Sequence, residues 1–100
     1  MEKLVRDKII QKILENGENP QYRIAIDEEF LWFLFQKLQE ETIELSQDKN
    51  QEEMADVLEV LYAIMDNFWW NMQDIEKIRL QKKEKNGWFE LGHILTLSKK

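Results

Sequence analysis

The sequence predicts an all-α protein, a small helical bundle that contains an antiparallel helical hairpin. The 100-residue chain has one proline and three glycines, so few residues interrupt its helices. Apolar residues recur at helical spacing in two long segments, and the links between segments are short, which favours antiparallel neighbours. At this length the chain is expected to form a single domain over residues 1–100.

The first half of the chain is expected to hold two helices. A short helix over residues 5–15 places its isoleucines on one side, and the turn-forming run at 16–20 ends it. Residues 22–26 alternate in character, as an extended segment does. Asp27 is expected to cap the second helix, which runs to about Ser46 and has two glutamates in its first turn.

The second half is expected to hold two more helices and a tail. Asn50 caps a third helix, in a capping-box-like pattern, and this helix reaches Met65 or extends to Trp70. A fourth amphipathic helix over residues 72–85 stops at an Asn-Gly pair. The β-prone tail, residues 88–97, is expected to form a strand or an extended arm.

Composition excludes several classes of protein. The net charge of −6 argues against a general nucleic-acid-binding surface, which needs clustered bases. No apolar run is longer than six residues, the length of the run at 30–35, which is far too short to span a membrane, so no membrane partner is expected. Absence of cysteine excludes disulfides and thiolate metal sites, and the single His93 excludes a multi-histidine zinc site within one chain. The N-terminus has no signal-peptide core, so a cytoplasmic location is expected.

Two acidic residues of the second helix occupy positions where apolar residues are due. The apolar stripe of this helix steps by 3, 4 and 7 residues, through Leu31, Leu34, Leu38 and Leu45. Continuing the spacing from Leu38 leads to Glu41, and Glu44 follows three residues later on an adjoining part of the same face. A carboxylate pair is therefore expected along the core side of this helix.

The third helix repeats the pattern. Its apolar stripe comprises Val57, Val60, Ile64 and Phe68. Extending the stripe backwards leads to Glu53, with Asp56 three residues later. Four desolvated carboxylates on facing helices would repel one another unless a cation compensated their charge, and an all-oxygen cluster suits Mg²⁺ or Mn²⁺. The alternative is that these acids are solvated at the edge of the stripes and pair with Lys37 or Lys49, as most charged helix faces do.

At these residues the chain resembles a known family. The segments KLQEETIEL (37–45) and EMADVLEV (53–60) resemble the EExxE…ExxD signature of the all-α nucleoside triphosphate pyrophosphohydrolases, which include the MazG-like proteins. KLVRDKI (3–9) and KNGWFE (85–90) look like the phosphoribosyl-ATP pyrophosphohydrolase-like branch. The resemblance covers nearly the whole chain, and the order of its blocks is more specific than any one block.

The resemblance implies an enzyme that acts on a nucleotide. It implies a homodimer or homotetramer that binds Mg²⁺, with Mn²⁺ as a substitute, through Glu41, Glu44, Glu53 and Asp56. In such enzymes a metal-activated water attacks the α-phosphorus and pyrophosphate leaves. The alternative function is a non-catalytic helical oligomerisation or interaction protein that keeps the fold.

Several other charged residues have candidate roles in catalysis or in binding phosphate and metal, each with a simpler alternative. Glu40 is the candidate to orient or deprotonate the water, or else a solvent-facing partner of Lys37. Arg6, Lys8 and Lys85 are the candidate phosphate ligands, and for each of them a solvated surface base is the alternative. Glu59 is a candidate supporting group for the metal or a salt-bridge partner.

The chain also departs from the family pattern. Ile10 stands where a proline is common, and Asn86 stands where an arginine is usual, which removes one potential phosphate ligand. Both changes bear on substrate identity and on activity. The large aromatic residues are expected in the core and at a subunit interface, with a base-stacking pocket as the alternative. They are Trp32, Phe35, Phe68, Trp69 and Trp70.

Overall fold

The computed structural model describes residues 1–98, and over these residues it is all-helical. Four helices follow one another: α1 (Ile9–Glu15), α2 (Asp27–Asp48), α3 (Gln51–Asn67) and α4 (Met72–Asn86). No strand occurs among the described residues. The expected all-α class and small helical bundle are confirmed. The chain divides into two compact units, the first over Met1–Trp69 and the second from Trp70 onward.

The first unit is organised around the hairpin of α2 and α3. Leu34 of α2 is 3% exposed and packs with Val60 and Ile64 of α3. Closer to the link between the two helices, Glu41 faces Glu53 of α3. This pairing order shows that α2 and α3 run antiparallel, as the short link predicts. Members of both expected apolar stripes therefore form the core of the unit, whereas Phe68, at the end of the α3 stripe, is 37% exposed.

Helix α1 begins later than the spacing predicts. It was expected from Val5, but the first helical residue is Ile9, and the amide of Ile9 donates to the carbonyl of Arg6 in a turn. Leu4 instead packs against the core cluster of α2 and α3. Tertiary contacts thus hold the first eight residues outside any helix, and α1 itself buries no residue.

The ends of α2 differ slightly from those expected. Asp27 is the first helical residue rather than the N-cap, because extended Ile26 accepts the first intrahelical bond from the amide of Phe30. The acidic residues of the first turn lie at the positive end of the helix dipole, where their negative charge stabilises the helix. The helix runs two residues beyond Ser46 and ends at Asp48. The C-cap Lys49 has a φ of 52°, which places it in the left-handed region.

Asn50 caps α3, as expected, because its side-chain oxygen accepts a 2.8 Å hydrogen bond from the amide of Glu53. Replacing Asn50 with Ala should therefore lower the stability of the hairpin by about 1 kcal/mol. Thermal denaturation should show a Tm lower by about 4–8 °C for a chain of this size. Asn71 caps α4 in the same way, so Asn71→Ala is a matched control that tests the second unit. An unchanged Tm for Asn50→Ala would contradict the capping role.

The second unit consists of α4 and the tail that follows it. Helix α4 ends at Asn86, and Gly87 adopts a φ of 87°, which confirms the expected stop. The tail has a turn at 90–91 and no strand up to residue 98, so the strand alternative is wrong over these residues. Among the described residues, no helix has the length and apolar character that crossing a membrane requires.

Candidate metal centre

Three of the four predicted ligands come together at the hairpin. Glu41, Glu53 and Asp56 each offer a carboxylate oxygen, and these three atoms lie within 4.8 Å of one another. The core stripe of α2 brings Glu41 inwards, while the Asn50 cap fixes the first turn of α3, which carries Glu53. The arrangement is that of a cluster able to hold a cation through oxygen atoms alone.

Glu41 is the most enclosed member of the cluster. It is 6% exposed, the only charged residue among the described ones that is buried. Its Oε2 atom is buried and has no hydrogen-bond donor, and the same holds for Oε2 of Glu53. Buried carboxylate oxygens are costly unless a donor, a proton or a cation compensates them. The cluster therefore lacks positive partners at two of its inward-facing atoms.

The surroundings disfavour the charged form of Glu41. Burial raises the pKa of its carboxyl, the Lys37 ammonium group opposes this shift, and the neighbouring Glu44 carboxyl adds to it. Glu44 does not belong to the three-atom set, but its carboxyl is near enough to influence the pKa values of both Glu41 and Glu53. The predicted fourth ligand is thus adjacent to the centre rather than part of its tightest group.

Glu53 is similarly affected. Loss of water around its carboxyl raises its pKa, and the negative charges of Asp48 and Asp56 raise it further, while a hydrogen bond with Glu44 lowers it. Repulsion among the carboxylates and desolvation both raise the pKa of Glu53. A bound divalent cation would reverse both effects, because it favours the ionised form of every ligand.

These pKa shifts predict a pH dependence. In the metal-free protein, Glu41 and Glu53 have folded-state pKa values above 4.5, so their contribution to stability is present below pH 4.5 and is lost as the pH rises through the raised values. Glu2, Glu29 and Glu76 have pKa values lowered by hydrogen bonds from arginines, so they act in the opposite sense and in a lower pH range.

Thermal denaturation in EDTA between pH 4.5 and 7.5 measures this dependence. Wild-type protein should lose stability over this range relative to Glu53→Gln, which cannot ionise at that position. Identical pH profiles for the two proteins would contradict the placement of Glu53 in a desolvated acidic cluster.

Two cations partly neutralise the cluster. The Lys37 ammonium lies 3.2 Å from Glu41, which is the pairing expected in the alternative without a metal. Lys49 bonds instead to the carbonyl of Ser46, so its proposed pairing is wrong. The solvated position expected in that alternative is also wrong for Glu41, because this residue is buried.

Arg6 provides the second cation. Its guanidinium donates to Asp56 at 2.8 Å and to Glu59 at 3.0 Å. Arg6 was predicted to contact a phosphate group, and the structure places it at the centre but bound to a predicted metal ligand. Glu59 thus has a salt bridge, one of the two roles expected for it.

Glu40 lies beside the cluster and outside the three-atom set. Its carboxylate is 3.4 Å from Lys37 and 3.7 Å from Lys3, so the predicted pairing with Lys37 is present. Its role towards a water molecule stays a prediction. The pairing with Lys3 could not be expected from spacing, because Lys3 lies in a segment without periodic structure.

The other two predicted phosphate ligands are Lys8 and Lys85. Lys8 is exposed at the start of α1, and Lys85 belongs to the last turn of α4 in the second unit. In the same unit Arg79 forms an ion pair with Glu76, and Lys83 lies over the ring of Trp88. Of the three predicted phosphate ligands, the structure brings Arg6 to the cluster.

The large aromatic residues do not form the core. All five are exposed by more than a third of their surface, and Trp69 is 94% exposed. The expected core position is therefore wrong for this group, because Leu34 and the small aliphatic residues of α3 already fill the space between the helices. Their expected role at a subunit interface, and the stacking alternative, stay predictions.

Comparisons with protein-family models, with curated proteins and with solved structures give no match.

Proposed function

We propose that this protein is a Mg²⁺-dependent nucleotide pyrophosphohydrolase. It cleaves a nucleoside triphosphate, or a phosphoribosyl-ATP-like nucleotide, to the monophosphate and pyrophosphate. The observation that carries the proposal is the buried Glu41 at the centre of the acidic cluster, with donor-free oxygens on Glu41 and Glu53. Exposed acidic groups are common on helices, but a buried one without a donor needs compensation. The sequence blocks that resemble the all-α NTP pyrophosphohydrolases supply the reaction class.

The residues of the cluster fit a hard divalent cation. Glu41, Glu53 and Asp56 would hold it, and Glu44 is close enough to both glutamates to complete the set. Mg²⁺ accepts carboxylate oxygens and keeps several waters, so a three- or four-carboxylate site leaves room for a substrate phosphate. When bound, the ion lowers the pKa of a coordinated water and offsets phosphate charge.

Residues of the chain carry out separate parts of the proposed reaction. Glu40 accepts the proton of the attacking water, whose oxygen forms a bond to the α-phosphorus while the bond to the bridging oxygen of pyrophosphate breaks. Lys3 and Lys37 hold the Glu40 carboxylate in position. Arg6, Lys8 and Lys85 are the proposed phosphate ligands, and pyrophosphate carries away the displaced electron pair.

We further propose a cytoplasmic homodimer or homotetramer. Helix α3 carries a second apolar stripe on its outer side, in addition to the core stripe. This outer α3 stripe comprises Met54, Leu58, Leu61 and Met65. The first three are between 37% and 48% exposed, and contiguous exposed apolar surface of this kind marks interaction sites. A second copy would cover it, and the apolar tail at 88–97 would serve as an extended arm in the assembly.

One observation favours the alternative, a non-catalytic helical interaction protein. Lys37 and Arg6 already pair with Glu41 and Asp56, so part of the acidic charge is compensated without a metal ion. In that case the outer α3 stripe would carry the function and the acids would only shape the hairpin.

Pyrophosphate release decides between the two functions. A panel of ribo- and deoxyribonucleoside triphosphates should be incubated with the protein in Mg²⁺ and, separately, in EDTA. We expect pyrophosphate and monophosphate from at least one nucleotide in Mg²⁺ and none in EDTA. Absence of release from every nucleotide, with phosphoribosyl-ATP included, would support the interaction protein instead.

Mg²⁺ should also stabilise the folded protein. A ligand that binds only the folded state adds about 2.7 kcal/mol when its free concentration is 100 times Kd. For a chain of this size, each kcal/mol raises Tm by about 4–8 °C. The shift should be larger at pH 7.5 than at pH 5, because protons compete for the raised-pKa carboxylates. A Tm that neither Mg²⁺ nor Mn²⁺ changes would contradict the metal centre.

A further inference from the structure

The N-terminal segment, residues 1–8, lies across the α2–α3 hairpin without forming a helix or a strand of its own. Glu2 bonds to Arg23 at one end, and Leu4 packs on the apolar core in the middle. Lys3 forms an ion pair with Glu40, which lies beside the candidate centre, and Arg6 forms one with Asp56, which belongs to it. The segment thus places two cations beside the carboxylates.

Arg6 has the more informative contacts. Its Nη2 donates to Oδ1 of Asp56, one of the three residues that supply an oxygen to the cluster, and its Nη1 donates to Oε2 of Glu59, which is outside the cluster. A divalent cation at the centre would compete with Arg6 for the Asp56 carboxylate. Glu59 would remain available to Arg6 whether or not the cation is bound.

The ion pair between Arg6 and Asp56 is one that a divalent cation can displace. The Arg6 side chain is 54% exposed and that of Asp56 is 40% exposed, so water screens the pair. Exposed ion pairs of this kind contribute little to stability, and a doubly charged ion can compete for the carboxylate. A guanidinium that has lost one carboxylate keeps directed donors that match the oxygens of a phosphate group.

We propose that the N-terminal segment is a cation-responsive latch: a divalent cation at the Glu41–Glu53–Asp56 centre displaces Arg6 from Asp56. The displaced guanidinium stays on Glu59 and presents its Nη2 donors to a phosphate group. Cation binding therefore precedes and enables phosphate binding at Arg6. The latch rests on the proposed metal centre, and its test separates the two.

NMR signals of the arginine side chains report directly on whether Arg6 leaves Asp56. The chain has only three arginines, and each has its own acidic partners in the metal-free protein: Arg6 as above, Arg23 with Glu2 and Glu29, and Arg79 with Glu76. Two-dimensional NMR of the Nε–Hε groups should thus give three signals. Arg6→Lys removes one of them and so assigns it, while Arg23 and Arg79 serve as internal controls.

Titration of wild-type protein with Mg²⁺ should shift the Arg6 signal and leave the signals of Arg23 and Arg79 in place. Inorganic phosphate added after Mg²⁺ should shift the Arg6 signal again, whereas phosphate added in EDTA should not. This measurement needs no variant, so it does not depend on whether a substituted protein folds. If phosphate shifts the Arg6 signal equally in EDTA and in Mg²⁺, the proposed order of binding is overturned.

Calorimetric titration with Mn²⁺ tests the competition. Arg6→Gln should tighten binding by about 2- to 5-fold, since an exposed pair is lost. Arg79→Gln removes the same charge from a residue whose acidic partner, Glu76, lies in the same helix α4, and it should leave the affinity unchanged. Arg6→Lys keeps the charge but not the paired donors, so tightening in this variant separates loss of the hydrogen bonds from loss of charge.

The outcomes distinguish the latch from the metal centre. Binding of Mn²⁺ that depends on Glu53, with no movement of the Arg6 signal in Mg²⁺ and an unchanged affinity in Arg6→Gln, would overturn the latch and leave the centre intact. Absence of binding in both wild-type protein and Arg6→Gln would overturn the metal centre, and the latch with it.

Discussion

Replacing Glu53 with Gln should abolish Mg²⁺-dependent pyrophosphate release, with a loss of at least about 100-fold in kcat/KM, since even supporting residues of metal sites cost about 10- to 100-fold. Glutamine keeps the shape of the side chain but removes the charge that the cation needs. Glu53 contributes one of the three clustered oxygens, and its Oε2 has no donor in the metal-free protein. Initial rates of pyrophosphate release, with nucleotide and Mg²⁺ both varied, measure the effect.

Glu52→Gln is the matched control. Glu52 is the neighbouring residue in the same first turn of α3, but it is exposed and outside the cluster. This variant should keep its activity and its stabilisation by Mg²⁺. Equal activity of the Glu52 and Glu53 variants would contradict the site, because the two substitutions differ only in which side of α3 loses a charge.

The same pair of variants has a second, independent readout. In EDTA, Glu53→Gln should be more stable than wild-type protein, because it removes a desolvated carboxylate that Asp48 and Asp56 repel. In Mg²⁺ the order should reverse, since wild-type protein alone gains from the ion. A variant that is less stable under both conditions would point to a purely structural role for Glu53.

Replacing Leu58 and Leu61 together with Glu should convert the proposed assembly into monomers. Both leucines lie on the outer α3 stripe and are exposed in the single chain. Full burial of a leucine side chain contributes about 1.5–3 kcal/mol. In a two-fold assembly each substitution occurs twice across the interface. The combined loss of binding free energy is therefore large compared with the free energy of association of most dimers. Light scattering coupled to size-exclusion chromatography at several protein concentrations measures the mass.

Ala55→Glu is the control for added charge. Ala55 is exposed on α3 but lies away from the outer α3 stripe, so this variant should keep the mass of the wild-type assembly. A wild-type protein that is monomeric at all concentrations would contradict the proposed assembly. An assembly that survives both leucine substitutions would show that another surface, such as the exposed aromatic residues, forms the interface.

Much of the candidate site could be predicted from the spacing of residues in two helices. The stripe positions identify Leu34, Val60 and Ile64 as core residues, and they place Glu41 on the same side. A helix repeats every 3.6 residues whatever surrounds it, so residues that share a face can be read directly from the chain. The caps are equally local, which is why Asn50 and Gly87 were identified correctly.

The depth of each acid could not be predicted in the same way. Spacing assigns Glu41, Glu44, Glu53 and Asp56 to facing sides, but among them only Glu41 is buried, and Glu44 lies outside the tightest group. Burial depends on the separation and rotation of the two helices, and these are set by packing along their whole length. The aromatic residues show the same limit, because a small core filled by aliphatic side chains leaves no space for them.

By itself, the sequence determined the helical class, the two core stripes, the two helix caps and the set of acids that face each other across the hairpin. All of these depend on residues a few positions apart along one helix. Only the tertiary structure decided where the first eight residues lie, and hence that Arg6 bonds to Asp56, 50 positions away, and Lys3 to Glu40. An irregular segment has no periodicity, so packing of Leu4 on the core and the distant ion pairs alone determine its position.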